Sequence, residues 1–367
     1  MKVSIGSRVV EGPWGGGNLF VKNLSKYLIK AGHKVIYDLS EPGIDLIVLT
    51  DPRSRKESTS TYNHEEIKQY KKYVKEDTIV VQRINECDER KGTTNINEFY
   101  LQASNVADHV IFVSSWLEEI YLNLGMSSDK TSVILSGSDE KIFNPEGSAK
   151  LYSTQKVKLL THHWSSNRNK GFDTYELINQ MIDTKKWKDK LEFTYIGNTD
   201  EDYKLHNTRL IKPLAGQDLS NEIKKHHIYV TGSLNEPSGN HHIEAAQCGL
   251  PILYIESGGI PEYCDGFGIG FTHDFEAKLE KIITEYDKYR QNMKSYPFNS
   301  EIMCKEYLDL FNELLKSKDY SFSKKINYFK YFYLTKQKII KVLRDRLYFK
   351  AKYIFSSNVR RFIKKNG

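Results

Sequence analysis

Arg168 and Lys170 stand just before a helical pattern in the run Thr161-His162-His163-Trp164-Ser165-Ser166-Asn167-Arg168-Asn169-Lys170-Gly171-Phe172. A helix N-terminus already carries partial positive charge, so cations there are locally unfavourable. That cost suggests an anion held between them and the helix; the alternative is a solvated pair. A second run, Glu11-Gly12-Pro13-Trp14-Gly15-Gly16-Gly17-Asn18, also joins a strand pattern to a helix. Gly15, Gly16 and Gly17 would expose backbone N–H groups at that helix start, where anions bind well. The spacing is not a dinucleotide fingerprint, because Phe20 occupies the third glycine position, and no Gly-Lys-Ser/Thr follows. A plain strand-to-helix turn is the bland alternative.

Two glutamates stand eight residues apart in Asn235-Glu236-Pro237-Ser238-Gly239-Asn240-His241-His242-Ile243-Glu244. At an ordinary glutamate content of about 6%, a chain of this length holds roughly one such pair by chance. The frame carries more than the spacing. A strand pattern precedes Glu236, and a Pro-Ser-Gly turn separates the carboxylates. The helix bearing Glu244 closes on Cys248-Gly249-Leu250-Pro251. A buried strand pattern and Ser257-Gly258-Gly259-Ile260-Pro261-Glu262 come next. The charged run from Gln82 to Thr93 begins where a strand pattern ends; Arg83, Asn85 and Asp88 are its acceptor-side candidates for a cleft, against a simply solvated loop. Histidines pair at 162/163, 226/227 and 241/242. Adjacent histidines point different ways and chelate poorly, and no HExxH occurs, so no metal site is expected.

The elements that must position these residues alternate. Strand patterns at 3–10, 34–38, 45–49, 78–84, 109–113 and 132–135 are interleaved with helical ones at 19–30, 65–74, 97–107 and 116–124. A turn-forming cluster at Pro145-Glu146-Gly147-Ser148 interrupts the series. It then restarts with strands at 157–161, 191–196, 210–211, 228–230 and 252–255. Helices are read at 172–182, 219–225 and 242–248, and two long ones at 275–293 and 300–316. The pattern predicts an α/β chain of two doubly wound domains, residues 1–148 and 149–300, facing a cleft. A helix at 301–318 is expected to return to the first domain, followed by a basic tail, 319–367.

Composition sets the class. The 367 residues are 39% hydrophobic and 28% charged, enough apolar content for packed cores. No stretch reaches the ~18 apolar residues that a membrane-spanning helix needs. The first residues run straight into a strand pattern, so no signal peptide is expected. Cys87, Cys248, Cys264 and Cys304 lack CxxC spacing and fit a reducing compartment. The net charge of +7 hides a split: residues 319–367 hold 14 Lys/Arg against 2 Asp/Glu, and 12 of those 49 residues are Tyr or Phe. Within them Ile340, Leu343, Leu347, Ala351 and Ile354 recur at helical spacing, with Lys338, Lys341, Arg344 and Lys352 off the stripe. This reads as an interfacial amphipathic helix for an anionic membrane surface.

These motifs resemble the retaining, nucleotide-sugar-dependent glycosyltransferases of family 4, which have the GT-B fold. The resemblance covers nearly everything from Met1 to Lys318. Glu236 and Glu244 with the Cys-Gly-Leu-Pro frame look like the family signature, and Ser257-Gly258-Gly259-Ile260-Pro261-Glu262 like the segment that follows it. Val113-Ser114-Ser115-Trp116, Val133-Ile134-Leu135-Ser136-Gly137-Ser138-Asp139 and Phe143-Asn144-Pro145 are similar to the end of the family's first domain, with Ser136 where Asn is usual. Lys170-Gly171 looks like the family's Lys-Gly. The Arg usual upstream is replaced by His163-Trp164-Ser165, leaving Arg168 as its candidate substitute. The Arg83-Ile84-Asn85 loop, the His162-His163-Trp164-Ser165 strand end and the Glu236-Pro237 turn resemble a subset associated with bacterial surface polysaccharides.

The resemblance implies a UDP- or GDP-sugar donor, no cofactor and no metal. Lys170, Arg168 and amides around Gly15, Gly16 and Gly17 would hold the diphosphate. Glu244 would accept from the ribose hydroxyls and Glu236 would bind the transferred sugar. Amides of Ser238, Gly239 and Asn240 would contact donor sugar or phosphate. The acceptor would be a glycan, lipid-linked if the polysaccharide likeness holds. The protein is expected in the cytoplasm, peripheral at the inner face of the plasma membrane. A GT-B epimerase or phosphorylase is the nearest alternative. A nucleic-acid binder using the tail is the next, disfavoured because the body is acidic.

Overall fold

The computed structural model describes residues 1–12, 15–53, 59–200, 202–317, 329–333 and 336. The expected tail helix lies outside these residues. In the first half the chain runs β1 (Lys2–Ile5), α1 (Gly16–Lys30), β2 (Lys34–Ile36), β3 (Leu46–Leu49), α2 (His64–Tyr73) and β4 (Ile79–Ile84). It continues with α3 (Asp88–Lys91), α4 (Ile96–Ala103), β5 (His109–Phe112), α5 (Ser115–Asn123) and β6 (Thr131–Val133). The second half opens with β7 (Val157–His163), α6 (Phe172–Ile182), β8 (Leu191–Gly197), β9 (Thr208–Ile211), α7 (Gly216–Ile223) and β10 (Ile228–Thr231). It closes with α8 (Asn240–Gln247), β11 (Ile252–Ile255), α9 (Ile260–Cys264), β12 (Gly268–Phe271), α10 (Phe275–Thr284), α11 (Tyr286–Asn292) and α12 (Ser300–Ser317).

Among the described residues, twelve strands form two parallel sheets, ordered β2-β1-β3-β4-β5-β6 and β12-β11-β10-β7-β8-β9. Parallel strands covered by helices on both faces read as unbroken apolar runs, as Leu46–Leu49 and Ile79–Val81 do. On one face of the first sheet Val3, Ile5, Phe20, Leu24 and Leu28 pack with Tyr307 and Phe311 of α12. The Phe20 and Tyr307 rings lie 5.1 Å apart, so the last long helix leaves the second half and packs against α1. Ile44, Ile47, Leu49, Ile67 and Tyr70 fill the other face.

Strand order fixes where a ligand can sit. In an open parallel sheet the crevice opens beyond the carboxyl ends of the strands, where the winding direction reverses. That point lies between β1 and β3 in the first sheet, beside the start of α1. In the second it lies between β7 and β10, whose outgoing loops carry Lys170 and Glu236.

Some boundaries differ from the sequence reading. The strand expected at 3–10 stops at Ile5. Helix α1 starts at Gly16 rather than at position 19, so two of the three glycines are helical. The stretch at 275–293 is two helices, α10 and α11. Within the charged run at 82–93, Asp88–Lys91 forms the short helix α3.

Candidate active site

The β7 and β10 loops are tied together. Leu234 N donates to Asn169 O at 2.8 Å, and Ser233 Oγ to Lys170 O at 3.3 Å. Gly258 leans on the second loop from β11. A Cβ there would stand 2.6 Å from Glu236 O, and its φ of +66° is one that side chains rarely adopt. Gly259 N donates to Glu236 O at 2.9 Å. The backbone under Glu236 is therefore held from both sides.

The Glu236 carboxylate is buried and shared between two cations. Lys170 Nζ donates to Oε2, and Arg90 Nε lies 3.1 Å from Oε1. Arg90 comes from α3 of the first half, so this contact crosses between the two halves. Arg90 also reaches Glu86 Oε1 at 3.2 Å, and Lys91 Nζ reaches Glu86 Oε2 at 2.6 Å. Charges alternate along Lys91, Glu86, Arg90, Glu236 and Lys170. Burial alone would push the Glu236 carboxyl up; Arg90 and Lys170 outweigh it and hold the group down at about 2. Burial lowers the Lys170 amine, opposed by Glu236. Glu236 in turn holds the Arg90 guanidinium high.

Glu244 sits in the second turn of α8, buried, with His162 Nε2 at 2.9 Å from its Oε2. Around it His162, His163, His241 and His242 pack ring to ring, with centroids 4.5 Å apart for His163–His241 and 4.9 Å for His241–His242. Burial drives the His163 and His241 imidazoles well down and His242 down to about 3. No group of three His, Cys, Asp or Glu among the described residues is arranged to hold a metal ion. Neither nitrogen of His242 has a hydrogen-bond partner among the described residues.

Two helix N-termini meet over this cluster. Among the described residues no side chain caps α1 or α8. Asn240 Oδ1 stands 2.9 Å from where a Gly16 Cβ would be, which places the starts of α1 and α8 side by side. Uncapped first-turn amides with aligned peptide dipoles favour an anion at such a place. Ser238, beside Tyr263, is buried in the turn before α8.

Residues 149–298 match the family model Glycosyl transferases group 1. The matched stretch contains Lys170, Glu236 and Glu244. A curated relative, the phosphatidylinositol N-acetylglucosaminyltransferase gpi3 subunit of Schizosaccharomyces pombe, is 23% identical over 226 residues. That alignment covers 58% of this chain and 48% of the relative, so the chain spans about half the length of that protein. Among solved structures, sucrose-phosphate synthase from Thermosynechococcus elongatus superposes with a TM-score of 0.64 at 16% identity, covering 86% of this chain and all of that one. Anabaena HepE in complex with UDP gives 0.62 at 15% identity, covering 85% and 99%. The architecture is GT-B, and these matches support a glycosyltransferase.

The site departs from the sequence reading at several residues. Arg168 does not reach the cluster. Its side chain is 54% exposed and pairs with Asp173 and with Glu176, the latter at 3.1 Å. The anion that its position suggested is supplied by its own helix. The second cation on Glu236 is Arg90, which the sequence reading passed over. Asp88 is not an open cleft carboxylate. It accepts from Asn95 N, Ile96 N and Asn97 N at 2.9–3.1 Å and so caps α4. Arg83 is buried, its guanidinium 4.2 Å above the Phe20 ring of α1. Asn85 is half-buried where β4 ends. Lys170, Glu236, Glu244, Ser238, Gly239, Asn240 and Gly16 do come together.

Proposed function

We propose that this protein transfers a hexose-type sugar, with retention, from a nucleoside diphosphate sugar to a glycan acceptor. The observation that carries this reading is the meeting of two uncapped helix N-termini beside the buried Lys170–Glu236–Arg90 group. The amides at Gly16, Gly17, Gly239 and Asn240, with Lys170 and Arg90, form a positive cradle for a diphosphate. Glu236 takes hydroxyls of the transferred sugar once the diphosphate draws the two cations away. Glu244, oriented by His162, accepts from the ribose. The bond from the anomeric carbon to the diphosphate oxygen breaks, and a bond from that carbon to the acceptor oxygen forms on the same face. The acceptor proton passes to the departing phosphate oxygen, so no protein nucleophile is needed. Preorganised positive charge at the leaving group supplies the stabilisation, and no metal is required. HepE structures hold UDP and UDP-glucose, which favours uridine over guanosine in the donor.

The basic, aromatic composition of residues 319–367 supports peripheral attachment to the cytoplasmic face of an anionic membrane, where a lipid-linked acceptor in surface polysaccharide synthesis would lie. No helix among the described residues is long and apolar enough to cross a membrane.

The test is release of nucleoside diphosphate from a panel of UDP- and GDP-sugars, with proton NMR of the product's anomeric configuration. Retention with one donor is expected. An inverted product rules out the mechanism. No release, together with no thermal stabilisation by any nucleoside diphosphate, rules out the function.

A further inference from the structure

Residues 329–333 form a short helical segment that lies on the first half of the chain. Tyr331 is only 5% exposed and joins the cluster of Leu39, Ile44, Ile67 and Tyr70; its ring meets that of Tyr70 edge-on at 5.7 Å. Its neighbours do the opposite. Phe329 is 86% exposed, Tyr333 63% and Phe332 49%. At 100° per residue, Phe329, Phe332 and Tyr333 share one side of the turn and Tyr331 takes the other. Tyr331 is thus an anchor that holds three aromatic rings outward. A helix packed on a body in water turns its charged side out; this one turns out an apolar side.

Cations frame those rings. Lys336 Nζ lies 5.4 Å from the Phe332 ring centre. Lys330 and Lys72, the latter on α2, both sit over the Tyr73 ring, at 5.5 and 5.3 Å. The chain from 319 onward carries a net charge of +12, whereas residues 1–318 hold 40 Lys/Arg against 45 Asp/Glu. Exposed aromatic rings among lysines suit the interface of an anionic bilayer, where rings settle at headgroup depth and cations meet lipid phosphates.

We infer that the α2 flank of the first half, with Phe329, Phe332 and Tyr333, docks on an anionic lipid bilayer; this rests on the peripheral-membrane reading above. Tyr331 fixes the segment at 329–333 on the first half of the chain. That segment would set the first half of the chain against the membrane.

The experiment uses the full chain. Flotation is measured with phosphatidylcholine vesicles carrying about 30% phosphatidylglycerol, and with pure phosphatidylcholine, at ~0.15 M salt. Wild type is expected to float with the anionic vesicles alone. The variant F329S/F332S/Y333S should bind them about tenfold less or weaker, the scale of losing buried aromatic area. It should keep wild-type nucleotide-sugar hydrolysis in solution, since these residues lie outside the site. In F332W, a blue shift of the added fluorescence on mixing with anionic vesicles marks insertion. If wild type never floats, the membrane reading falls and this inference with it. If wild type floats and the triple variant floats equally well, the reading survives and the docking surface is wrong. An unshifted F332W spectrum also overturns it. So does binding of a single-stranded oligonucleotide that the triple variant loses while flotation is unchanged.

Discussion

Arg90 Nε lies 3.1 Å from Glu236 Oε1, and the two residues belong to different halves of the molecule. This contact makes the site a joint product of both sheets. The short helix α3 holds Arg90 out from the first half, and Asn169 and Asn235 steady it from the second. Asn169 Nδ2 donates to Arg90 O at 3.3 Å, and Asn235 Nδ2 to Glu89 O at 3.2 Å. A cation placed this way reports whether the halves are closed, and it bears on a bound donor only when they are.

Arg90 is therefore predicted to matter where Arg168 does not. Arg90→Gln should lower kcat/KM about 10²–10³-fold, or ~3–4 kcal/mol, the scale of losing one preorganised charge contact. Arg168→Gln should stay near wild type, because its guanidinium faces α6. Nucleoside diphosphate release checks both. Equal losses in the two variants, or none in Arg90→Gln, would remove Arg90 from the site.

Lys170→Ala, Glu236→Ala and Glu244→Ala should each cut turnover strongly. The first two also leave a buried charge short of its partner, which costs about 3–5 kcal/mol of stability. Glu244→Ala removes one hydrogen bond, to His162, and its melting temperature should move least. Wild-type turnover in all three variants would sink the assignment.

The α/β alternation was legible because buried parallel strands announce themselves as apolar runs, and Leu46–Leu49 and Ile252–Ile255 could hardly be read otherwise. The Glu236–Glu244 frame and Lys170 were legible because each ends a strand and opens a helix. Arg90 was not, since nothing local in 82–93 tells which of Arg83, Arg90 and Lys91 faces the cleft. One signal was present: Glu86 and Arg90 stand at i,i+4 spacing, the mark of a helical turn. Arg168 misled for the converse reason. Asp173 and Glu176, five and eight residues on, already supplied the anions that its position called for. The docking of Tyr331 was invisible because burial of one tyrosine among 12 aromatic residues in the tail depends on the distant surface around Tyr70.

Stability should fall steadily as pH drops below neutrality. His242 is held neutral by burial at about 3, while an unfolded histidine takes its proton near 6.5. The unfolded chain therefore binds more protons below about pH 6.5, and stability is lost from there down toward 3. His163 and His241 act in the same direction. Glu236, held at about 2 against about 4.3 when unfolded, contributes stability that is present above about 4.3 and is lost toward 2. Urea denaturation at a series of pH values checks this. His242→Phe should flatten the slope between pH 6.5 and about 4.5. A flat or rising stability from pH 7 to about 5 in the wild type contradicts the buried neutral histidines.

Activity should persist undiminished in excess EDTA. Lys170 and Arg90 bring two fixed positive charges to the place where the departing diphosphate gains negative charge. Loss of activity that Mg²⁺ or Mn²⁺ restores would overturn it.

Glu262 offers a separate test of how the halves are joined. It stands on α9 of the second half, yet its carboxylate accepts from Ser115 N and Trp116 N, both at 2.9 Å, and from Ser115 Oγ at 2.6 Å. It caps α5 of the first half and adds a negative charge to that helix's N-terminus. Beside it Tyr263 donates to Val113 O and accepts from Ser136 N at 2.9 Å, so one turn of α9 clamps the β5–α5 corner. Glu262→Ala removes a cap of about 1 kcal/mol, which should lower Tm by roughly 2–4 °C. Glu262→Gln keeps an acceptor without the charge and should fall between. Neither change touches Lys170, Glu236 or Glu244, but the diphosphate cradle draws Gly16, Gly17 and Arg90 from the first half, so nucleoside diphosphate affinity and turnover should both fall in Glu262→Ala. Calorimetric melting and nucleotide titration check the two effects. An unchanged Tm in Glu262→Ala, or a nucleotide affinity that stays at the wild-type value, would show that α9 does not hold the halves together in this way.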